Sequence, residues 1–184
     1  MRRHRSVPAA LAALAVTAAG VLVTIGQSQA KPSESQQLFR KTLLDDDATT
    51  AGIKQLLRDR GGFVAPGIEF ADLTGDGRSD AVVLVDTGGA AGAVALYVFS
   101  THGKAADSPL RAVYRSQQLY RARAQISGAS LLLRTPRYVE GDDVCCPAKV
   151  VERTYTWSDA ARTLKQRASQ ELPGPGVATP PPPG

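Results

Sequence analysis

Asp72, Thr74, Asp76 and Asp80 place side-chain oxygens at alternate or near-alternate positions, and Gly77 stands where such a run must turn sharply. A hard cation such as calcium takes six to eight oxygen ligands, and an Asp-rich loop of this spacing can wrap several around one point. Counted from Asp72, position twelve is Val83, so the bidentate Glu of a helix–loop–helix calcium site is missing. Ala81-Val82-Val83-Leu84-Val85 follows at once, an apolar, β-branched run that reads as a buried strand. The competing reading is an Asp-rich turn whose carboxylates accept from nearby backbone N–H groups and need no metal. Three well-spaced carboxylates favour calcium as the cofactor, and outside a cell even millimolar sites fill.

Cys145 and Cys146 are the only cysteines, so no long-range disulfide can form within the chain. Adjacent Cα atoms sit about 3.8 Å apart, below the usual 4.4–6.8 Å of a relaxed bridge. A vicinal disulfide acting as a rigid turn, a redox-sensitive pair and two buried thiols are all open. Export to an oxidising compartment favours the bridge, and neither a Cys-x-x-Cys spacing nor a neighbouring basic group marks a reactive thiolate. Two adjacent Cys and one His do not complete a zinc site.

Catalytic patterns are absent from the sequence. His102 lies in the turn-like Ser100-Thr101-His102-Gly103-Lys104, and no G-x-S-x-G elbow accompanies it. No motif supplies a nucleophile, a base and an orienter together. Asp142 and Asp143 read as a solvated acidic loop that could reach a cation, and Asp45-Asp46-Asp47 as a helix-breaking acidic cluster. Gly88-Gly89-Ala90-Ala91-Gly92 lacks the Lys of a phosphate loop and reads as a strand-to-strand turn allowing close chain approach.

Both ends of the chain stand apart from these features. Arg2, Arg3 and Arg5 precede an uncharged Ala/Leu/Val-rich stretch at 9–25, and Ser28-Gln29-Ala30 supplies a small-x-small cleavage site. Residues 1–30 thus read as a signal peptide for the secretory route; membrane contact follows only if this segment stays uncleaved. Its removal takes three Arg and no acid, leaving 19 basic against 17 acidic side chains, so the net +5 falls to +2. That balance and the 5% aromatic content argue against a nucleic-acid partner. Residues 173–184 are Pro/Gly-rich and read as a disordered tail.

Residues 31–172 remain as a single domain large enough for its own core. Within it, 34–60 reads as two helices separated by the Asp45–Asp47 cluster, the second carrying Ile53, Leu56 and Leu57 at helical spacing and stopping at Gly61-Gly62. Strands are expected at 63–70, 80–86, 93–100, 110–118, 121–126, 130–135, 149–157 and 162–168, with turns at Ser127-Gly128 and Ser158-Asp159-Ala160. Helices followed by a run of short strands predict an α+β fold, a helical segment on a mostly antiparallel, meander-like sheet.

The loop Asp72-x-Thr74-Gly75-Asp76-Gly77-x-x-Asp80 with its following strand resembles the calcium loop of FG-GAP and integrin-α-type repeats. That likeness covers about 15 residues and implies Asp72, Thr74, Asp76 and Asp80 as side-chain ligands, with Arg78 offering its backbone carbonyl. One copy cannot close a propeller. A wider likeness runs through Asp76–Val83, Gly88–Gly92 and Tyr138-Val139-Glu140-Gly141-Asp142-Asp143-Val144-Cys145-Cys146-Pro147. These segments resemble the LppP/LprE family of small exported actinobacterial proteins, often lipoproteins, which implies an exported envelope protein and no particular reaction. The lipobox Cys is missing, so lipid attachment does not carry over.

The sequence thus predicts an exported, non-catalytic module, secreted or held in the cell envelope. It would bind an unidentified envelope or extracellular ligand and be stiffened by calcium at Asp72–Asp80. The alternative is a thiol-redox or metal-dependent enzyme using Cys145 and Cys146 or the acidic loops.

Overall fold

Ser33 opens the first helix, α1 (Glu34–Asp45), with a reciprocal cap. Its Oγ accepts from the Gln36 N–H at 3.2 Å, while Gln36 Oε1 accepts from the Ser33 N–H at 2.8 Å, satisfying two donors that helix geometry leaves unpaired. Phe39 and Leu43, one turn apart, form its buried face. The second helix, α2 (Ala51–Asp59), buries Ile53 and Leu57 in the same way. It ends where Gly61 adopts the left-handed region at φ 73°, and a Cβ on Gly62 would lie 2.3 Å from Leu56 Cγ. The computed structural model describes residues 31–101 and 110–175. The expected signal peptide, His102 and the tail beyond Pro175 lie outside the described residues. Among the described residues no helix is long and apolar enough to cross a membrane.

The strands are β1 (Phe63–Val64), β2 (Glu69–Ala71), β3 (Asp80–Asp86), β4 (Ala93–Ser100), β5 (Arg111–Ser116), β6 (Arg123–Ser127), β7 (Ser130–Arg137), β8 (Lys149–Ser158) and β9 (Thr163–Pro173). The α+β expectation holds, and all pairings are antiparallel. The strands divide into two sheets: β1 to β5, with β1 and β2 both on β3, and the meander β6-β7-β8-β9. The expected strand 63–70 is two short ones. Pro66, which has no N–H to give a ladder, and Gly67 lie between them. The strand expected to end at 168 runs on to Pro173, which pairs with Lys149, so the first residue assigned to the tail belongs to the sheet. Proline is tolerated there because β9 is an edge strand.

The continuous apolar runs in β3 and β4 are explained by burial on both faces. Val83 and Val85 of β3, with Ala95, Tyr97 and Phe99 of β4, pack against Phe39, Leu43, Ile53 and Leu57 of the helices. Val82 of β3, with Leu96 and Val98 of β4, packs against Leu131, Leu133 and Leu164 of the second sheet. Aromatic contacts fix both layers: Phe39 lies 5.0 Å from Phe99, and Tyr114 lies 5.2 Å from Tyr155 between ring centroids. Burial pushes the Tyr97 hydroxyl up to about 12 and raises that of Tyr114 as well. Gln117 completes the first layer. Its Oε1 accepts from Tyr97 Oη at 2.9 Å and from the Thr50 N–H at 2.7 Å, and its Nε2 donates to the Ala48 carbonyl.

On the second sheet, Arg134, Glu152 and Gln170 stand side by side on β7, β8 and β9. Glu152 is buried, accepting from Gln170 Nε2 at 2.8 Å and Arg134 Nε at 2.6 Å. These two donors, Gln170 first, hold its carboxyl below the ordinary 4.5. A depressed carboxylate stabilises the fold fully above the unfolded value, and that contribution is lost as pH falls through the folded value. Thermal melts from pH 6 to pH 3 should therefore show a smaller loss of Tm for Glu152→Gln than for the unmutated protein; equal losses would assign the acid sensitivity to other carboxylates.

Candidate functional site

The acidic loop between β2 and β3 is closed by its own hydrogen bonds. Asp80, the first residue of β3, is 1% exposed. Its Oδ2 accepts from the Leu73 and Thr74 N–H groups at 2.8 Å each, and its Oδ1 from Thr74 Oγ1 at 3.4 Å. Asp72 turns back over the loop, where Oδ1 accepts from the Gly75 and Asp76 N–H groups at 2.7 and 3.1 Å, and Oδ2 from Gly77 at 2.8 Å. Gly75 and Gly77 adopt φ of 75° and 78°, conformations that a residue with a Cβ rarely takes. Asp76 accepts from the Arg78 N–H at 3.0 Å and from its guanidinium at 2.8 and 3.2 Å. Arg78 reaches on to the Thr101 carbonyl at 2.9 Å.

All five residues expected at a metal site thus share one loop, with donors set against each carboxylate. Among the described residues, no group of three or more His, Cys, Asp or Glu side chains is gathered so that it could hold a metal ion. A calcium ion here would have to displace the Arg78 guanidinium from Asp76 and share the oxygens of Asp72 and Asp80 with the N–H groups they already accept from. The sequence reading assigned Arg78 a backbone carbonyl role and missed its guanidinium, although an Arg two residues beyond an Asp is itself a signal for such a pair.

A second loop, 138–148, carries the cysteines. Cys145 and Cys146 are joined in a disulfide; Cys145 is exposed and Cys146 partly buried, so the reading as two buried thiols does not hold. Asp142 is engaged by the backbone of its own loop. Its Oδ2 accepts from the Val139 and Ala148 N–H groups, both at 2.9 Å, and pins the two ends of the loop together. The Val144 carbonyl accepts from Tyr138 Oη at 2.8 Å and also from the Arg121 guanidinium, which in turn donates to Tyr138 Oη at 3.0 Å. Gly174 N–H donates to the Ala148 carbonyl at 2.8 Å. A Cβ on Gly174 would sit 1.8 Å from the Pro147 carbonyl oxygen, so only glycine lets the end of β9 close against this loop.

Between this loop, the turn joining β3 to β4 and the adjoining ends of β6 to β9 lies a groove of about 730 Å³, within the ~300–1,000 Å³ of small-molecule sites. Leu84, Ala93, Ala122, Val150 and Leu172 supply apolar wall, and Arg121, Arg123 and Arg134 supply charge. Arg121 holds φ 47°, a left-handed conformation uncommon outside glycine, and its N–H donates to the Ala91 carbonyl at 2.8 Å. A Cβ on Gly92 would lie 3.3 Å from Arg121 Cα, which explains the glycine-rich turn as a site of close chain approach. Sequence reasoning missed the groove because its lining comes from seven separated segments.

Replacing Asp80 by Ala strands two buried N–H donors, each costing about 1–3 kcal/mol, whereas Asp76→Ala removes a partly exposed ion pair worth about 1 kcal/mol or less. In EDTA, urea unfolding should rank Asp80→Ala well below Asp76→Ala, with Asp80→Asn between them. Equal stabilities would show that the Asp80 bonds do not anchor the loop.

The chain is similar to the lipoprotein CseA of Streptomyces avermitilis. It is 28% identical to that protein over 172 residues, which cover 91% of this chain and 76% of the relative. No family model matches the chain, and no solved structure matches it significantly.

Proposed function

We propose that this protein is an exported, non-catalytic binding module of the cell envelope or extracellular space. The likeness to a lipoprotein along 91% of the chain carries the assignment to the envelope. The basic, apolar leader with its small-x-small site at Ser28–Ala30 supports it. The binding role is supported by a groove with apolar walls and a few polar groups, the usual make-up of a ligand site. In the groove the exposed cysteine is held in a disulfide, which favours a structural part for the pair over the thiol-redox enzyme. Fractionation of cells expressing the tagged full chain should place it in the envelope or medium, shortened by its leader. A full-length cytosolic product would overturn the assignment.

Calcium at Asp72–Asp80 is a second reading, and it is supported by the spacing of Asp72, Thr74, Asp76 and Asp80 about two left-handed glycines. Binding the native loop and not the unfolded chain would raise Tm by mass action. Because Arg78 competes for Asp76, the rise in millimolar calcium over EDTA should grow in Arg78→Ala and vanish in Asp76→Ala. Superimposable melts for all three proteins would leave the loop as a metal-free turn.

A further inference from the structure

Arg123 and Arg134 are direct cross-strand partners on β6 and β7, and both line the groove. Like charges placed opposite one another in a sheet repel unless something neutralises them. Arg134 is neutralised by Glu152 at 2.6 Å, and Arg121 is spent on Tyr138 and the Val144 carbonyl. Among the described residues, no hydrogen bond or ion pair engages the Arg123 guanidinium. The acid on the groove wall, Asp86, is turned to the Gly88 N–H at 2.7 Å. Arg123, itself exposed, thus brings a positive charge with no acid partner among the described residues to the lining of a groove whose other walls are largely Leu84, Ala93, Ala122, Val150 and Leu172. Val144 and Val139, 65% and 46% exposed, extend apolar surface along the loop that borders it.

We propose that this groove binds a single-chain anionic amphiphile, a long-chain carboxylate taken up as a monomer. Its apolar chain lies along the groove and its carboxylate pairs with Arg123. A guanidinium suits this role because its planar fork gives two parallel donors to a carboxylate. An apolar ligand without charge would leave the Arg123 guanidinium unpaired, and a small anion would leave the apolar walls wet. Only a ligand with both parts satisfies both features. The loop 138–148 forms one border of the groove, with Cys145 on its wall, and the disulfide and the Asp142 clasp hold that border in place. The inference rests on the reading of the protein as a binding module and is independent of where the protein resides.

The test is calorimetric titration of the purified full chain with laurate, octanoate and dodecanol below their aggregation limits, alongside vesicles of anionic phospholipid. Laurate should saturate one site and bind more tightly than octanoate, by about threefold to fourfold per methylene at the upper limit of full burial. Dodecanol should bind at least tenfold more weakly than laurate, and Arg123→Gln should lose the same factor for laurate while keeping its Tm. Val150→Trp, which fills the groove, should abolish binding; if that variant does not fold, Arg123→Gln decides alone. Equal affinity for laurate and dodecanol, an unchanged Arg123→Gln, or no saturable binding would overturn the proposal. Binding to vesicles without binding of monomeric laurate would overturn it too, marking a membrane-facing surface instead. An envelope location with no amphiphile binding would sink this inference alone.

Discussion

Burial of β3 and β4 on both faces is the constraint from which the rest of the structure follows. Two adjacent strands with apolar side chains pointing both ways cannot sit at a solvent face, so each side must be covered. The helices cover one side through Phe39, Leu43, Ile53 and Leu57. The second sheet covers the other through Leu131, Leu133 and Leu164. The amphipathic helices and the alternating strands of the meander each have a single apolar face to bury, and the central pair offers each of them a partner.

Asp80 is where this core meets polar chemistry. It is the first residue of the central strand and is almost wholly buried, a costly place for a carboxylate unless it is well bonded. The two N–H groups it accepts from belong to Leu73 and Thr74, and Leu73 is itself part of the second core cluster. The acidic loop is thus fastened to the core at its end, while Asp72 and Asp76 organise its outer turn. An Asp-rich loop so arranged is a hydrogen-bonded clasp between β2 and β3.

The groove arises from a different requirement, the passage of the chain from one sheet to the other. Between β5 and β6 the backbone must leave the first sheet and enter the second, and it does so past Gly92 with Arg121 in a left-handed conformation. A non-glycine residue in that region costs roughly 1–2 kcal/mol, offset here by bonds to Ala91, Tyr138 and Val144. The same crossing aligns the ends of the meander strands beside the disulfide loop and leaves space between them.

The sequence by itself determined the helices, the strand run and the α+β class, because these depend on local periodicity. The 3.6-residue spacing of Ile53 and Leu57, the glycine stop at Gly61 and the apolar runs of β3 and β4 are each visible within a few residues. The acidic loop was legible as well, since Asp72 to Asp80 are neighbours in the chain. Three things were decided only by tertiary structure. The strands split into two sheets, because a meander can continue or fold over with the same local pattern. The carboxylates met N–H groups and Arg78, because spacing fixes which oxygens are near but not what they face. And the hairpin that pairs Arg123 with Arg134 came to lie beside Leu84 and Leu172, because sheet packing joins residues nearly ninety positions apart that no local signal connects.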